Sequence, residues 1–316
     1  MPTLPSNSEC EPLPGQLISA IVCTRNRGTE IKETIETILQ NEYPSFEVVI
    51  IDQSTDDITA STVAPFTSDP RVRYIRTDTK GLSRARNIGL NAASGELAIF
   101  TDDDCTVPSD WLEKMHGVFA SNPEVVVAFC NVEAAPCDNS AGFIPGYFRS
   151  SSSLLDTIAD KPRSRGIGAG MAVRREQALA MGGFDEQLGS GAEFPAAEDD
   201  DMALRALLMG HKVYETSAVS VTHFGFRTFE QGKQLGRSSW RGLGAAYSKP
   251  LRAGYKSSWI IPAHEFFVVI LGSLVRDVLH LKRPQGFSRI PAFIGGFMEG
   301  WKTPVDNKTL RFRHSY

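Results

Sequence analysis

Apolar residues follow two rhythms along the first half of the chain. Short unbroken runs at Leu17–Cys23, Phe46–Asp52, Leu97–Phe100 and Val125–Val132 predict strands buried on both faces. Between them apolar positions recur at helical spacing, as in Ile31, Ile35, Ile38 and Leu39, or Trp111, Leu112, Met115 and Phe119 within Pro108–Ser121. Val72–Ile75 reads as a short third strand, and Gly81–Ala93 as a helix with Arg84 and Arg86 in its first turns. Thr29, and Asp56 or Asp57, stand where helix caps are expected. Strand and helix alternate, so the pattern predicts an α/β fold with a mainly parallel central sheet flanked by helices. Ligands of such sheets sit beyond the carboxyl ends of the strands. Three of those ends carry Thr24–Arg27, Asp52–Asp57 and Asp102–Asp104.

The rhythm weakens afterwards. Residues 134–164 hold Pro, Gly, Ser and scattered aromatics with no assignable element, the composition of a long loop that covers a substrate. Gly166–Gly170 reads GIGAG ahead of Met171–Val173; it lacks GxGxxG spacing, which disfavours a dinucleotide fold and leaves close backbone approach to a ligand open. Gly182–Asp185 is a turn. A helix with Met202, Ala203, Ala206 and Leu207 as its buried stripe opens on Glu198–Asp201, and Val213–Thr222 alternates as a strand toward His223.

The chemistry concentrates in two acidic clusters. In Thr101–Thr106 (TDDDCT) three adjacent carboxylates repel one another. A divalent cation would offset that repulsion, and oxygen ligands at a strand end suit Mg²⁺ or Mn²⁺; the plain alternative is a solvated acidic loop. In Glu198–Asp201 the helix dipole favours carboxylates, and Asp201 and Arg205 are spaced for an i,i+4 pair, yet four consecutive acids exceed what capping needs. A formal net charge of −4 gives no case for nucleic-acid binding. The five cysteines, at 10, 23, 105, 130 and 137, form no CxxC pair, which points to reduced thiols in a cytosolic setting rather than disulfides or zinc. Residues 1–16, with Glu9 and Glu11, have neither the basic nor the apolar region of a signal peptide and read as a flexible tail.

Taken in order, TRNR at Thr24–Arg27, DQSTDD at Asp52–Asp57, GLSRARNIG at Gly81–Gly89, TDDD at Thr101–Asp104, GGFDE at Gly182–Glu186, EDDD at Glu198–Asp201 and His223 resemble the family-2 inverting glycosyltransferases of the GT-A fold. The resemblance runs from about Leu17 to His223; Gln53 departs from it, standing where the family often has Gly, a change expected in the turn and not in the chemistry. It implies a nucleotide-sugar-binding half at 17–132 and an acceptor-binding, catalytic half at 133–248. Thr24, Arg25, Asn26, Asp52, Ser54, Arg86, Asp102 and Asp103 would meet the nucleotide-diphospho-sugar donor, with Asp52 at the base and Asp102 toward the ribose. Asp104, Asp102 and His223 would hold Mn²⁺ or Mg²⁺, and Asp199 would be the catalytic base. The implied reaction moves a sugar, from a UDP-sugar first of all, to a hydroxyl of a glycan or lipid-linked acceptor in polysaccharide or glycolipid synthesis. A sugar nucleotidyltransferase is the alternative enzyme, although TRNRG is a poor phosphate loop; a catalytically silent carbohydrate-binding protein of the same fold is the other reading.

Residues 249–316 differ in composition. Eleven Lys/Arg face four acids there, a balance of +7 in a chain of −4, so the first 248 residues carry −11. Trp259–Leu281 is apolar, but its uncharged run, Phe266–Val275, is short for a bilayer span. Ile290, Phe293, Ile294, Phe297, Met298 and Trp301 share a helical face opposite Ala292, Gly295, Gly296 and Gly300. Two outcomes follow: peripheral contact of a cytoplasmic protein with the inner face of the cell membrane, or packing of the apolar face on the catalytic domain or in a homo-oligomer.

Overall fold

The computed structural model describes residues 16–281 and 286–313. The expected N-terminal tail, Gln16 apart, lies outside the described residues, as do the basic Lys282 and Arg283.

The predicted runs become β1 (Ile18–Thr24), β2 (Phe46–Asp52), β3 (Val72–Arg76) and β4 (Leu97–Asp102), all in parallel register. A two-residue strand β5 (Cys105–Thr106) follows, then β6 (Val125–Ala134), the short β7 (Gly142–Phe143) and β8 (Ser153–Leu155), β9 (Met171–Arg174), β10 (Lys212–His223) and β11 (Arg227–Thr228). Among the described residues the main sheet runs β3-β2-β1-β4-β9-β6-β10-β5, with β8 on β10. The parallel expectation holds for β3-β2-β1-β4 and for β6-β10. It does not hold for β9, which lies antiparallel between β4 and β6. The reason is its connection: β9 enters from the carboxyl end of β4, through the tight turn Gly168–Gly170, with no crossover helix to return the chain to the other end.

Period-two alternation divides the apolar side chains between the two faces of the sheet. On one face Ala20, Val22, Val48 and Ile50 meet Ile31, Ile35 and Ile38 of α1 (Ile31–Leu39), and Trp111 and Met115 stand farther along the same layer. On the other, Ile21, Val49 and Ile51 pack with Ala85 and Leu90, and Met202, Ala203 and Ala206 extend that layer. The helices that supply these residues, beside the short α2 (Ile58–Val63), are α3 (Leu82–Ala92), α4 (Trp111–Ser121), α5 (Arg175–Ala180) and α6 (Glu198–Leu208). The stretch without sequence rhythm is pinned to β6: Val132 bridges Tyr147, and the Asn131 side chain bonds both backbone groups of Arg149.

Helix α7 (Phe229–Arg252) runs straight through the expected division at 248/249, and the one at 132/133 falls inside β6. A third apolar layer therefore joins α6 to the C-terminal helices, through Leu188, Phe194, Leu204, Tyr247, Ile261, Ile270 and Phe293. The chain continues as a helical stretch over Lys256–Leu279 and a last helix over Arg289–Lys302, and returns so that Phe312 meets Phe194 with ring centroids 5.1 Å apart and planes tilted by 35°.

Candidate active site

Asp102 closes β4, and the chain turns through Asp103 and Asp104 into β5. The three carboxylates face different surroundings. Asp102 is half-buried, the least covered of the three, and 3.6 Å from Nη2 of Arg86. Asp103 is buried and 3.6 Å from Nε of Arg27; burial dominates and pushes its pKa up to about 7 against the pull of Arg27. Asp104 accepts from Nη2 of Arg27 at 3.0 Å and lies 3.2 Å from Nε2 of His223. Burial works against the Asp104 carboxylate, but His223 and Arg27 outweigh it and hold its pKa below the ordinary value.

His223 shows how this pair suits a cation. Its Nδ1 is 2.8 Å from the carbonyl of Pro145, which can only accept, so Nδ1 carries the hydrogen and Nε2 faces Asp104. A neutral imidazole then sets one lone pair against a carboxylate oxygen, a repulsive arrangement that a proton or a divalent cation between them would relieve. Cys105 Sγ falls in the same group, with ligand atoms within 4.8 Å of one another. Burial raises its thiol pKa well above the usual range, so the harder oxygen and nitrogen donors are the ones suited to Mn²⁺ or Mg²⁺.

The donor-side residues separate into cleft wall and scaffold. Thr24, Arg25, Gln53, Asp102, Asp103, Asp104 and His223 line a cleft of about 340 Å³. Asn26 adopts φ 54°, a left-handed conformation that asparagine tolerates, and ties the two loops: its N–H donates to Ser54 Oγ at 2.8 Å, and its Oδ1 accepts from Thr55 N at 2.9 Å. Ser54 and Asn26 thus shape the cleft from behind. Asp52 is fully buried; one oxygen accepts from Ser54 N at 2.7 Å and the other from the Tyr74 hydroxyl at 2.6 Å. The structure places Gln53, and not Asp52, on the cleft surface, held by bonds to Thr79 and Gly81.

Helix α6 begins at Ala197, whose φ of 73° is unusual for a residue with a Cβ and costs on the order of 1 kcal/mol. That turn spreads the four acids. Glu198 accepts from Nη1 of Arg86 at 2.9 Å. Asp200 accepts from Lys161 and the Tyr247 hydroxyl, while Asp201 accepts from Nε of Arg205 at 2.8 Å and stands 2.6 Å from Nζ of Lys249 as an ion pair, Lys249 donating its hydrogen bond to Asp185. Asp199 differs: its oxygens accept only backbone N–H groups among the bonds described, from Gly168 and Asp200, each at 2.7 Å. Burial and the neighbouring Glu198 charge push its pKa up to about 7, with Arg86 opposing. Arg86 is buried and reaches both clusters, so the GLSRARNIG and EDDD motifs meet around one guanidinium. The GIGAG turn approaches these protein groups: a Cβ on Gly168 would lie 2.3 Å from Nη2 of Arg86.

Residues 19–178 match the family model described as "Glycosyl transferase family 2", half of the chain. The chain belongs to glycosyl transferase family 2. It is 25% identical over 247 residues to the glucosyl-dolichyl phosphate glucuronosyltransferase of Haloferax volcanii, covering 73% of this glycosyltransferase and 76% of that relative. A shorter match, 37% over 99 residues, links it to the succinoglycan biosynthesis protein ExoO of Rhizobium meliloti, covering 31% of this chain and 28% of that one. Solved structures with the same fold include the mannosyltransferase PcManGT from Pyrobaculum calidifontis in complex with GDP-Man and Mn²⁺, at TM-score 0.59 and 22% identity, covering 90% of this chain and 85% of that one. Another is S. aureus TarS 1-349 in complex with UDP-GlcNAc, at TM-score 0.64 and 18% identity, covering 90% and 80%. The fold of this glycosyltransferase is GT-A with C-terminal helices.

Four residues of the site were not singled out by the sequence. Arg27 lies inside the TRNR motif and was within reach of a charge argument, since three carboxylates need cations nearby. Gln53 registered as a departure in a turn, although it forms part of the cleft wall. Lys161 and Tyr247 carried no signal, because Lys161 lies in the stretch without rhythm and no element was assigned around Tyr247.

Proposed function

We propose that this glycosyltransferase moves a sugar from a nucleotide-diphospho-sugar, a UDP-sugar first of all, to an acceptor hydroxyl with inversion, using Mn²⁺ or Mg²⁺. The carrying observation is Arg86: it ties the strand-end acids to the helix that bears Asp199, so donor and base belong to one site. Asp199 accepts the proton of the attacking acceptor hydroxyl; its raised pKa matches that task near neutral pH. The hydroxyl oxygen bonds to the anomeric carbon as the bond to the diphosphate breaks on the opposite face. Such a displacement inverts the centre and needs no enzyme nucleophile. Asp104 and His223, with Asp102 beside them, would hold the divalent cation, which when bound offsets the charge of the departing diphosphate. Thr24, Arg25, Gln53 and Asp103 shape the donor cleft, and Asn26, Ser54 and Asp52 keep its loops in place.

The neighbours support a nucleotide-sugar donor and Mn²⁺, since one holds GDP-Man with Mn²⁺ and the other UDP-GlcNAc. A relative named for glucosyl-dolichyl phosphate supports a lipid-linked acceptor, and with it work at the cytosolic face of a membrane. Release of nucleoside diphosphate from a panel of UDP- and GDP-sugars, with Mn²⁺ and with EDTA, tests the reading. Turnover of one donor that EDTA abolishes is expected. Pyrophosphate release from a nucleoside triphosphate and a sugar phosphate would overturn it in favour of nucleotidyl transfer, and binding without turnover in favour of a silent protein.

A further inference from the structure

The last helix packs through two of its glycines. Gly296 and Gly300 face inward: a Cβ on Gly296 would lie 2.0 Å from the Arg241 carbonyl oxygen, and one on Gly300 2.7 Å from Cα of Ala245. Gly244 of α7 returns the fit, since a Cβ there would lie 2.2 Å from the Phe293 carbonyl oxygen. The two backbones therefore touch along a seam of glycines. Phe293 is buried at the edge of that seam, against Trp240, and Ile290 packs on the same layer, while Phe297 is half-buried and the remaining apolar residues of the face are exposed. Ile294 is 43% exposed, Met298 54% and Trp301 45%.

The helical stretch Lys256–Leu279 extends this surface. It is 24 residues long, and its most apolar 18-residue window has a mean hydropathy of 1.7, yet only 33% of that window is buried. Trp259 stacks on Phe297, which stacks on Trp301, with ring centroids 5.9 and 6.0 Å apart. Between the two helices Trp259, Phe266, Phe267, Ile294 and Phe297 line an almost wholly apolar groove of about 380 Å³. Phe267 is 65% exposed. By length and composition the stretch is able to cross a bilayer, but its other side is fastened to the domain. Ile261 and Ile270 sit in the core layer shared with α6, and the buried Glu265 accepts two bonds from Arg165, at 3.2 and 2.7 Å. A helix held along its length in this way lies on a surface and does not leave it.

We propose that the groove and the aromatic face around it seat in the interface of an anionic bilayer, lying in its plane. Charge favours that occupant over a second copy of the chain. Exposed Lys256, Arg276 and Lys302 lie on the same two helices, and Arg252 sets its guanidinium against the carbonyls of Trp301 and Thr303. The acids nearby are engaged, Glu265 by Arg165 and Glu299 by Arg241. Copies would bring like charge together, whereas anionic headgroups complement it. The proposal deepens the lipid-linked acceptor reading but stands on the exposed surface alone. The surface is wired to the catalytic helix, since Tyr247 of α7 bonds Asp200 beside the proposed base.

Full-length protein is sedimented with vesicles of phosphatidylcholine, alone or with phosphatidylglycerol, at low and high salt. Binding to the anionic vesicles is expected to exceed binding to neutral ones, to weaken about tenfold in high salt, and to blue-shift tryptophan emission. The double variant Phe267→Glu, Ile294→Glu should lose vesicle binding while keeping its melting temperature and its donor hydrolysis. Absence of pelleting by the wild type, or unchanged pelleting of the variant, overturns the proposal. So does a wild-type dimer that the variant converts to monomer without any vesicle binding, since the face would then be a contact between copies. Donor hydrolysis is read separately, so failure of the proposed function and failure of this surface remain distinguishable.

Discussion

The chain contains two runs of consecutive acids, and the fold treats them differently. At the end of β4, Asp102 is half-buried, Asp103 turns inward, and Asp104 is gathered with His223 and Arg27. The result is a shared acidic mouth whose charge three cationic or ionisable side chains only partly balance. At the start of α6 successive side chains point about 100° apart, so each acid finds its own partner. Glu198 goes to Arg86, Asp200 to Lys161, and Asp201 to Arg205 and Lys249. That leaves Asp199 with no ion pair among those described and with burial as its dominant influence. A strand-end cluster pools its charge and suits a cation. A helix-start cluster sorts its charge and isolates one carboxylate, the proposed proton acceptor.

The strongest way to break this comparison is to remove the isolated acid. Asp199→Asn nearly preserves shape, and its single carbonyl oxygen can keep one of the two bonds, from Gly168 or Asp200, but it cannot take a proton, so turnover should fall roughly 10²–10⁴-fold with nucleotide affinity retained. Asp104→Ala attacks the other cluster and should instead abolish Mn²⁺-dependent nucleotide affinity in a folded protein. Calorimetric titration of the nucleotide, with and without Mn²⁺, separates the two; unchanged Mn²⁺-dependent affinity in Asp104→Ala would remove Asp104 from the metal site.

This contrast also marks what the sequence disclosed. Both acidic runs and the strands that place the first were visible, because β1, β2 and β4 are unbroken apolar runs and the carboxylates follow directly. Asp199 was assigned by family resemblance. The physics that singles it out depends on Lys161, Arg86 and Lys249, which approach from three separate parts of the chain. The antiparallel β9 was hidden because apolar runs do not encode direction. The packing of the last helix stayed open between two outcomes for a related reason. An aromatic stripe usually marks the buried side, but glycines at 296 and 300 let backbones meet, so Phe293 is buried while Ile294, Met298 and Trp301 stay exposed.

Breaking an ion pair of the sorted cluster should act on stability rather than chemistry. Lys161 is buried and Asp200 partly exposed, and Lys161→Met leaves that carboxylate with the Tyr247 hydroxyl alone. Loss of a buried pair costs roughly 3–5 kcal/mol, with a partly exposed partner at the lower end. Denaturant unfolding should show this loss while turnover of the folded fraction stays within a few-fold. If Asp200→Asn abolishes turnover while Asp199→Asn does not, the proton acceptor is Asp200 and the sorting argument fails.

The isolated acid also predicts a pH dependence. Asp199 must be ionised to act, so turnover should be flat above about 7 and fall about tenfold per unit below it. Stability responds with the opposite sign. The folded pKa of about 7 lies above the ordinary 3.8, so the unfolded chain releases this proton first, and Asp199 costs stability as pH rises from about 4 to about 7. Arg86 lowers the Asp199 pKa, so Arg86→Gln should move the acid limb of turnover to higher pH at saturating donor.

The smallest expected effect tests whether the C-terminal helices help to aim the base. Tyr247 lies on α7 in the core layer that joins this helix to α6 and the Lys256–Leu279 stretch, and its hydroxyl donates to Asp200. Tyr247→Phe removes one hydrogen bond to a charged acceptor and leaves the ring in place, a loss of about 1.5–3 kcal/mol. Lys161 remains on Asp200, so the fold should persist. If α7 only covers the domain, the variant will melt earlier and turn over normally while folded. If it positions α6, kcat will fall several-fold with the donor KM unchanged, because the proposed donor contacts lie at and just beyond the ends of β1, β2 and β4. A stable variant with unchanged kcat would separate the C-terminal helices from the chemistry and leave them a surface-binding role alone.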